Sequence, residues 1–211
     1  KRQTFTPVTL KTQQGLSVET GVEWVSGSDT AKLLIYQLDL ENEIAYDPVN
    51  FANINLEDTR RTGVITSGRW QQSSRVGYSA SYTFTDAEVL SGPFANREIP
   101  FDAKHSALIS ADYQASDDWQ LFGELFAISD RVFSGDFDNI LGRLPGYAVI
   151  NVKAEYSSSG FIVTGRVNNL LNKEYSDVGQ LSYDPTTFVA REAFFPSPEI
   201  NLMLTAAWQF R

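Results

Sequence analysis

The feature that most constrains this chain of 211 residues is an alternation of apolar and polar residues with a period of two. In the last segment Ile200, Leu202, Leu204 and Ala206 are apolar, whereas Asn201 and Thr205 between them are polar. Successive side chains of a strand point to opposite sides of a sheet, so this pattern predicts a strand with one apolar and one polar face. Helical periodicity is weak, and the chain is therefore predicted to be all-β and antiparallel.

The same alternation recurs along the chain and predicts nine strands. They cover residues 16–26, 29–46, 58–71, 74–88, 102–114, 118–132, 146–157, 160–171 and 196–210. In the second strand the residues predicted to lie on the apolar face are Leu34, Tyr36, Leu38 and Leu40. The charged residues predicted on the polar faces are Glu19, Glu23, Asp39, Glu41, Glu43, Arg61, Arg69, Arg75, Asp112, Lys153, Glu155 and Arg166. So many charges cannot be buried in a packed core, so these faces are predicted to line a space wide enough for water or a plug.

The connections between the predicted strands fall into two classes. Short turns lie near residues 26–29, 71–74, 115–118 and 157–160, and they alternate with long connections near 47–57, 89–101, 133–145 and 172–195. In an up-and-down sheet this order places every long connection at one end, which is typical of bacterial outer-membrane barrels. Several predicted strands also exceed the roughly 9–11 residues that a tilted bilayer crossing needs.

The tryptophans support a membrane barrel independently. Trp24, Trp70 and Trp119 each lie close to a short turn, and Trp208 and Phe210 lie near the C-terminus, which falls at the same end of such a sheet. Indole has an apolar body and one N–H that prefers the wet headgroup region. These five residues are therefore predicted to form an aromatic girdle at the membrane interface.

Composition removes several classes of function. A net charge of -9 without a basic cluster makes nucleic acid an unsuitable partner. The absence of cysteine excludes disulfides, thiol nucleophiles and cysteine-based metal sites, and the single His105 excludes histidine-pair metal motifs. No apolar run approaches the roughly 20 residues of a membrane-spanning helix.

Several segments together resemble the C-terminal part of TonB-dependent outer-membrane receptors, of the siderophore-receptor type. They are residues 19–24 (ETGVEW), 55–64 (NLEDTRRTGV), 144–147 (LPGY), 166–175 (RVNNLLNKEY) and 194–198 (FFPSP), and they occur in the family's order. Two positions depart from the family pattern. Glu199 stands where many members have an Arg, and Arg211 follows Phe210 where members commonly end on an aromatic residue.

The resemblance implies that residues 1–211 are part of a 22-stranded barrel in the outer membrane of a Gram-negative bacterium, with the plug domain outside this chain. An odd number of strands agrees with a partial barrel, since single-chain bacterial barrels have an even number. The implied function is active transport of a scarce ligand, foremost a ferric siderophore, energised through TonB. Haem, cobalamin or an oligosaccharide are alternative cargoes. The implied partners are outer-membrane lipid and lipopolysaccharide, TonB, the plug and the remaining strands, and no covalently bound cofactor is expected.

For a transporter, ligand contacts are expected in the long connections. Anionic ferric chelates favour Arg and Tyr, which offer charge-assisted hydrogen bonds and aromatic stacking. The candidate ligand-binding residues are Arg97, Arg131, Arg143, Tyr183 and Arg191. Alternatively, these side chains pair with lipopolysaccharide, neighbouring loops or water.

No catalytic residue and no metal site are predicted, and the chain is not expected to be an enzyme. Glu41 and Glu43 would share a strand face, but such carboxylates are more often solvated or paired with Arg. The acidic stretch at residues 136–139 resembles the start of a calcium loop without its spacing or terminal Glu, and His105 is expected at the membrane rim. Two rival interpretations are a soluble β-sandwich or lectin-like binding module, whose apolar face would form a core, and an outer-membrane barrel enzyme.

Overall fold

The computed structural model describes residues 9–48 and 50–209, so Phe210 and Arg211 lie outside the described residues. The described residues form 15 strands. In chain order these are β1 Gln14–Ser26, β2 Asp29–Glu41, β3 Ile44–Asp47, β4 Ala52–Asn55, β5 Thr59–Gln71, β6 Val76–Val89, β7 His105–Gln114, β8 Trp119–Ile128, β9 Arg131–Val132, β10 Arg143–Leu144, β11 Tyr147–Ser158, β12 Phe161–Asn168, β13 Ser176–Tyr183, β14 Ala190–Pro196 and β15 Asn201–Trp208. No helix in this part of the chain is long and apolar enough to cross a membrane.

Nine of the described strands form one antiparallel sheet, in the order β1-β2-β5-β6-β7-β8-β11-β12-β15. The prediction of nine strands is therefore confirmed, and each observed strand overlaps a predicted one. The other strands pair within the long connections as three two-stranded ribbons, β3 with β4, β9 with β10 and β13 with β14. These ribbons were not predicted, because their strands are short and lack a long alternating pattern.

Three predicted strands extend too far. The strand predicted at residues 196–210 begins only at Asn201, and Pro196 belongs to β14. The strand predicted at residues 29–46 ends at Glu41, because Asn42 adopts a left-handed backbone conformation (φ 54°) that an extended strand cannot contain. Residues 44–47 then pair with 52–55 instead of continuing the sheet. The strand predicted at 118–132 ends at Ile128, and residues 131–132 pair with 143–144 in the following connection.

The pairing register assigns every strand residue to one of two faces, because directly paired residues of neighbouring strands project to the same side. We call the side that carries the tryptophans the apolar face and the opposite side the polar face. The large apolar-face residues include Leu16, Val18, Val22, Trp24, Leu33, Ile35, Val64, Trp70, Tyr78, Phe84, Ile109, Leu121, Leu125, Ile150, Val152, Phe161, Val163, Leu202, Leu204 and Trp208. The polar face carries most of the predicted charges, at Glu19, Glu23, Arg61, Arg69, Asp112, Lys153, Glu155 and Arg166.

The predicted orientation of the second strand is wrong. Val22 pairs with Leu33 and Thr20 with Ile35, so the odd-numbered residues of β2 lie on the apolar face. The residues that consequently lie on the polar face are Leu34, Tyr36, Leu38 and Leu40. Residues 33–36 are apolar or aromatic at every position, so the strand's own sequence does not define a face. The neighbouring strands set the register, and a shift of one residue reverses every side chain.

Asp39 and Glu41, predicted on the polar face, instead follow the odd positions of β2 onto the apolar face. Asp39 pairs there with Arg60 of β5, and Arg60 Nε lies 2.6 Å from Asp39 Oδ1. This ion pair lies near the end of β2 that leads into a long connection, beyond the apolar residues of the same face. On the polar face, the Tyr36 ring lies over Gly63, where a Cβ would be only 2.6 Å from it.

The apolar face has no second layer of protein against it among the described residues. Leu202 is 72% exposed and Leu204 75%, and the ribbons of the long connections do not form a facing sheet. A β-sandwich would bury these side chains between two sheets. The sandwich and lectin-like interpretation is therefore wrong.

All four tryptophans lie on the apolar face at the end of the sheet that carries the short turns. Trp24 pairs with Ala31 across the β1–β2 turn, and Trp70 pairs with Tyr78. Trp119 starts β8, where its ring lies 5.2 Å from that of Tyr156, and Trp208 ends β15, where its ring lies 5.7 Å from that of Phe161. Their contact with a membrane interface stays a prediction.

Candidate ligand-binding end of the sheet

The long connections fold into a packed layer at one end of the sheet. We call residues 42–58, 90–104, 129–146 and 169–200 together the loop layer. The buried apolar residues of the described chain all lie in this layer or within a few residues of it: Leu56, Ala87, Val89, Ile99, Val132, Phe133, Phe137, Leu144, Val149 and Leu181. The hydrophobic core of this chain therefore lies at its loop end, and the loops have a defined structure.

Close contacts join the connections to one another. Gly135 (φ 80°) approaches Pro48 so closely that a Cβ would lie 2.2 Å from the proline ring, which only glycine permits. Ser134 N donates to the carbonyl of Gly179 at 2.9 Å, and Leu181 N donates to that of Ser134 at 2.8 Å. Since these residues come from three connections, the loop layer is a single packed unit.

An ionic cluster anchors the first connection to the polar face. Arg61 of β5 donates to both carboxylate oxygens of Glu43 at 2.9 Å and to Asp102 at 2.8 Å. Thr59 also donates to Glu43. The left-handed backbone of Asn42 turns Glu43 away from Glu41. The prediction that these two carboxylates share a strand face is therefore wrong.

The two acids of this cluster have opposite pKa shifts. Burial raises the pKa of Glu43, but the hydrogen bonds from Arg61 and Thr59 outweigh burial, and the pKa lies below its ordinary value of 4.5. Burial dominates at Asp102, whose pKa lies above its ordinary value of 3.8 despite the opposing effect of Arg61. The cluster therefore keeps Glu43 ionised and makes Asp102 the easier of the two to protonate.

Arg131, one of the five predicted ligand residues, is 1% exposed and joins the third connection to the fourth. Its Nη2 donates to the carbonyl oxygen of Asp177 and to Asp177 Oδ1, and its guanidinium lies 4.9 Å from the centre of the Phe101 ring. Its Nη1 is buried without a hydrogen-bond partner among the described residues. In this conformation Arg131 packs the loop layer and is not accessible to a ligand.

The other predicted ligand residues lie apart from one another. Arg143 binds Glu98 and Asp130, and Arg191 binds Asp184. Burial lowers the pKa of Arg143, but the bonds to its two carboxylates outweigh burial and raise it. Arg97 and Tyr183 are exposed. Three of the five predicted residues are thus paired with carboxylates, and the structure does not bring the five into one site.

Asp136, from the stretch that resembles a calcium loop, and His105, expected at the membrane rim, also have protein partners. The Asp136 carboxylate, 1% exposed, accepts hydrogen bonds from the backbone N–H groups of Ile140 and Leu141 at 3.0 and 2.9 Å. Within residues 9–48 and 50–209 no three His, Asp or Glu side chains are grouped as a metal site. His105 lies on the apolar face, where its Nδ1 is 2.7 Å from the hydroxyl of Tyr82.

A cleft of about 440 Å³ opens in the loop layer beside the fourth connection. We call it the Tyr175 cleft, and the residues that line it include Lys173, Glu174, Tyr175, Phe194, Ser197 and Glu199. The Tyr175 ring packs 4.1 Å from that of Tyr147, a polar-face residue of β11, which places one wall of the cleft toward the polar side of the sheet.

The two chain segments that form the Tyr175 cleft are held in place by backbone contacts. Buried Asn169 binds the backbone N–H and carbonyl of Lys173 at 2.8 and 2.9 Å. Ser197 N donates to the carbonyl of Tyr175 at 2.9 Å. This cleft was not predicted from the sequence, although residues 173–175 of the RVNNLLNKEY segment and Glu199 line it.

A single antiparallel sheet with one apolar face, one charged face and a packed loop layer at one end is typical of membrane-spanning β-barrels. The family described as TonB dependent receptor-like, beta-barrel, matches residues 2–170. The chain belongs to this family, whose members are proteins of the Gram-negative outer membrane. Its apolar face is accordingly the lipid-facing side, and its polar face lines the barrel interior.

Individual relatives agree with this assignment. The ferrichrome outer membrane transporter/phage receptor of Escherichia coli K12 is 26% identical over an alignment of 173 residues, which covers 77% of this chain and 23% of that protein. The ferric-catecholate import receptor Fiu of E. coli K12 superposes with a TM-score of 0.72 at 19% identity, covering 95% of this chain and 28% of that one. The copper transporter OprC superposes with a TM-score of 0.76 at 16% identity, covering 95% and 32%. The chain thus spans between about a quarter and a third of these relatives.

Proposed function

We propose that this chain forms the C-terminal part of an outer-membrane receptor that imports a ferric siderophore with energy supplied through TonB. The observation that carries the proposal is the combination of family membership with a charged inner face capped by a packed loop layer. Such an end offers polar and aromatic side chains to a ligand that enters from outside the cell. We expect transport without catalysis.

The two edges of the sheet support a larger barrel. Among the described residues β1 pairs only with β2, and β15 pairs only with β12. In lipid, an unpaired strand edge leaves backbone N–H and C=O groups without partners, at a cost of several kcal/mol per group. We infer that further strands of the same receptor close the barrel and that a plug domain fills it.

The nature of the cargo is inferred from the relatives. Ferrichrome and a ferric catecholate are named as cargo of two of the relatives described above, which favours a ferric chelate over haem, cobalamin or an oligosaccharide. Of the sequence-predicted ligand residues, Arg97 and Tyr183 stay candidates as exposed side chains. Arg131, Arg143 and Arg191 would first have to leave their carboxylate partners.

The test is transport by the complete receptor in a host strain that lacks its other iron receptors. Under iron limitation we expect the strain to accumulate radioactive iron from at least one ferric siderophore, and an isogenic strain without TonB to bind that chelate but not accumulate it. Haem, cobalamin, copper and oligosaccharides serve as comparison substrates. Uptake of one of these without uptake of any ferric chelate would contradict the proposal.

A further inference from the structure

The Tyr175 cleft combines an aromatic wall with an excess of acidic side chains. Tyr175 and Phe194 supply the aromatic surface, and Glu174 and Glu199 are exposed carboxylates against the single ammonium of Lys173. A cavity of about 440 Å³ lies within the range of about 300–1,000 Å³ typical of small-molecule sites. Its shape therefore fits part of a chelate, and its charge disfavours an anionic one.

The surroundings of the cleft have the same sign of charge. The loop layer contains 14 of the 26 acidic residues of the chain but only 6 of its 17 basic residues, so it carries -8 of the net charge of -9. Low-dielectric walls focus such a field on a bound ligand. The net charge of the loop layer therefore opposes the approach of an anionic ligand to this end of the chain.

Three of the four arginines in the loop layer are already paired with carboxylates, and the fourth, Arg97, does not line the Tyr175 cleft. Arg131 binds Asp177, Arg143 binds two carboxylates, and Arg191 binds Asp184. Glu199, which also lines the cleft, has no arginine or lysine paired with it among the described residues.

We propose that the Tyr175 cleft contacts the transported chelate and selects neutral or cationic ferric complexes over anionic ones. The proposal rests on the proposed function and adds the charge class of the substrate. A ferric trihydroxamate satisfies this preference, because three monoanionic groups balance Fe³⁺. A ferric tris-catecholate keeps three negative charges and is disfavoured by Glu174 and Glu199.

The experiment measures binding of both radiolabelled chelates to outer membranes that contain the complete receptor. The wild-type receptor is expected to bind the ferric trihydroxamate more tightly than the ferric tris-catecholate. Glu199→Arg should shift the ratio of the two dissociation constants about three- to tenfold toward the tris-catecholate, because reversing a charge several ångströms from the ligand changes its interaction energy by about 1 kcal/mol. Glu174→Gln should shift the ratio in the same direction by less.

Asp117→Arg provides the matched control. It makes the same change of charge in the exposed short turn between β7 and β8, at the opposite end of the sheet, and should leave the ratio unchanged. A preference of the wild type for the tris-catecholate, or a ratio unaffected by Glu199→Arg in a receptor present at normal level, overturns the charge selection alone. A receptor that binds no ferric chelate overturns the proposed function, and this proposal with it.

Discussion

Arg61 joins side chains from three segments of the chain at the loop end of β5. Its side chain is only 18% exposed, and its guanidinium donates hydrogen bonds to both Glu43 and Asp102. Hydrogen bonds to charged groups in such partly buried positions contribute about 1.5–3 kcal/mol each. The first connection therefore depends on this one arginine and its carboxylate partners for its position.

The pH dependence of the cluster follows from the direction of each pKa shift. The pKa of Glu43 is lowered in the folded protein, so its contribution to stability is present above its ordinary pKa of 4.5 and is lost as pH falls through the folded value. The pKa of Asp102 is raised, so its contribution has the opposite sign. It is present below pH 3.8 and is lost as pH rises through the folded value.

Glu43→Gln should destabilise residues 42–58 by about 1–3 kcal/mol at pH 7, because it leaves Arg61 with one carboxylate partner instead of two. The difference from the wild type should shrink as pH falls from 4.5 through the lowered pKa of Glu43, because Glu43 of the folded wild type then also becomes protonated. Hydrogen exchange of the backbone amides, corrected for the intrinsic effect of pH, measures the destabilisation at pH 7 and at low pH.

Glu57→Gln is the control. It breaks an exposed pair with Lys11 and should change the free energy of opening by less than about 0.5 kcal/mol. An equal effect of the two substitutions at pH 7 would refute the role assigned to the cluster.

At the scale of the strand, β2 shows how far its own sequence specifies its structure. Its existence follows from a run of β-forming residues, but its orientation does not, because Leu33, Leu34, Ile35 and Tyr36 place apolar side chains on both faces. The hydrogen-bonded neighbours β1 and β5 select the register, since only one register keeps the apolar face continuous from Val22 through Leu33. In strands whose polar residues all lie on one face, such as β15, the predicted orientation is correct, because a shifted register would place Asn201 and Thr205 in lipid.

The loop layer was less predictable than the strands for a related reason. Its ribbons and its core depend on contacts between residues far apart in sequence, such as Gly135 against Pro48 and Arg131 against Asp177. No local period marks such contacts. Four of the five predicted ligand residues are arginines in loops. The carboxylates that pair with three of them could be recognised only in the structure.

The orientation of β2 can be tested with a pair of neighbouring arginine substitutions. Ile35→Arg places a charge in the middle of the apolar face and should destabilise the folded barrel by about 2–4 kcal/mol, the cost of Arg near the bilayer midplane. Leu34→Arg places the same charge on the polar face, where Leu34 pairs with Gly21 and Ile65, and should cost less than half as much. Urea unfolding of the receptor in lipid bilayers gives both values. The reverse order of the two costs would restore the orientation predicted from sequence.

At the scale of the whole molecule, the apolar face and the two strand edges both make the sheet unsuited to water. The loop layer packs internally and holds the buried core, whereas the apolar face is exposed and both β1 and β15 have one unpaired edge among the described residues. Water cannot stabilise a broad apolar surface, and an open edge pairs readily with other chains. We therefore expect the sheet to need both lipid and further strands for a stable structure.

Residues 1–211 expressed alone without detergent should consequently aggregate and give no cooperative thermal transition. Detergent should restore solubility, and coexpression with the plug and remaining strands of the receptor should in addition yield a barrel that resists unfolding in SDS at room temperature. Size exclusion and circular dichroism of the soluble fraction measure the first expectation, and gel mobility before and after heating measures the second. Replacing Leu204, 75% exposed on the apolar face, with Arg provides a control, because it should prevent insertion without altering the loop layer. A soluble, monomeric β-rich particle with a cooperative melt would show that the apolar face is covered by the chain itself, which is incompatible with a lipid-facing surface.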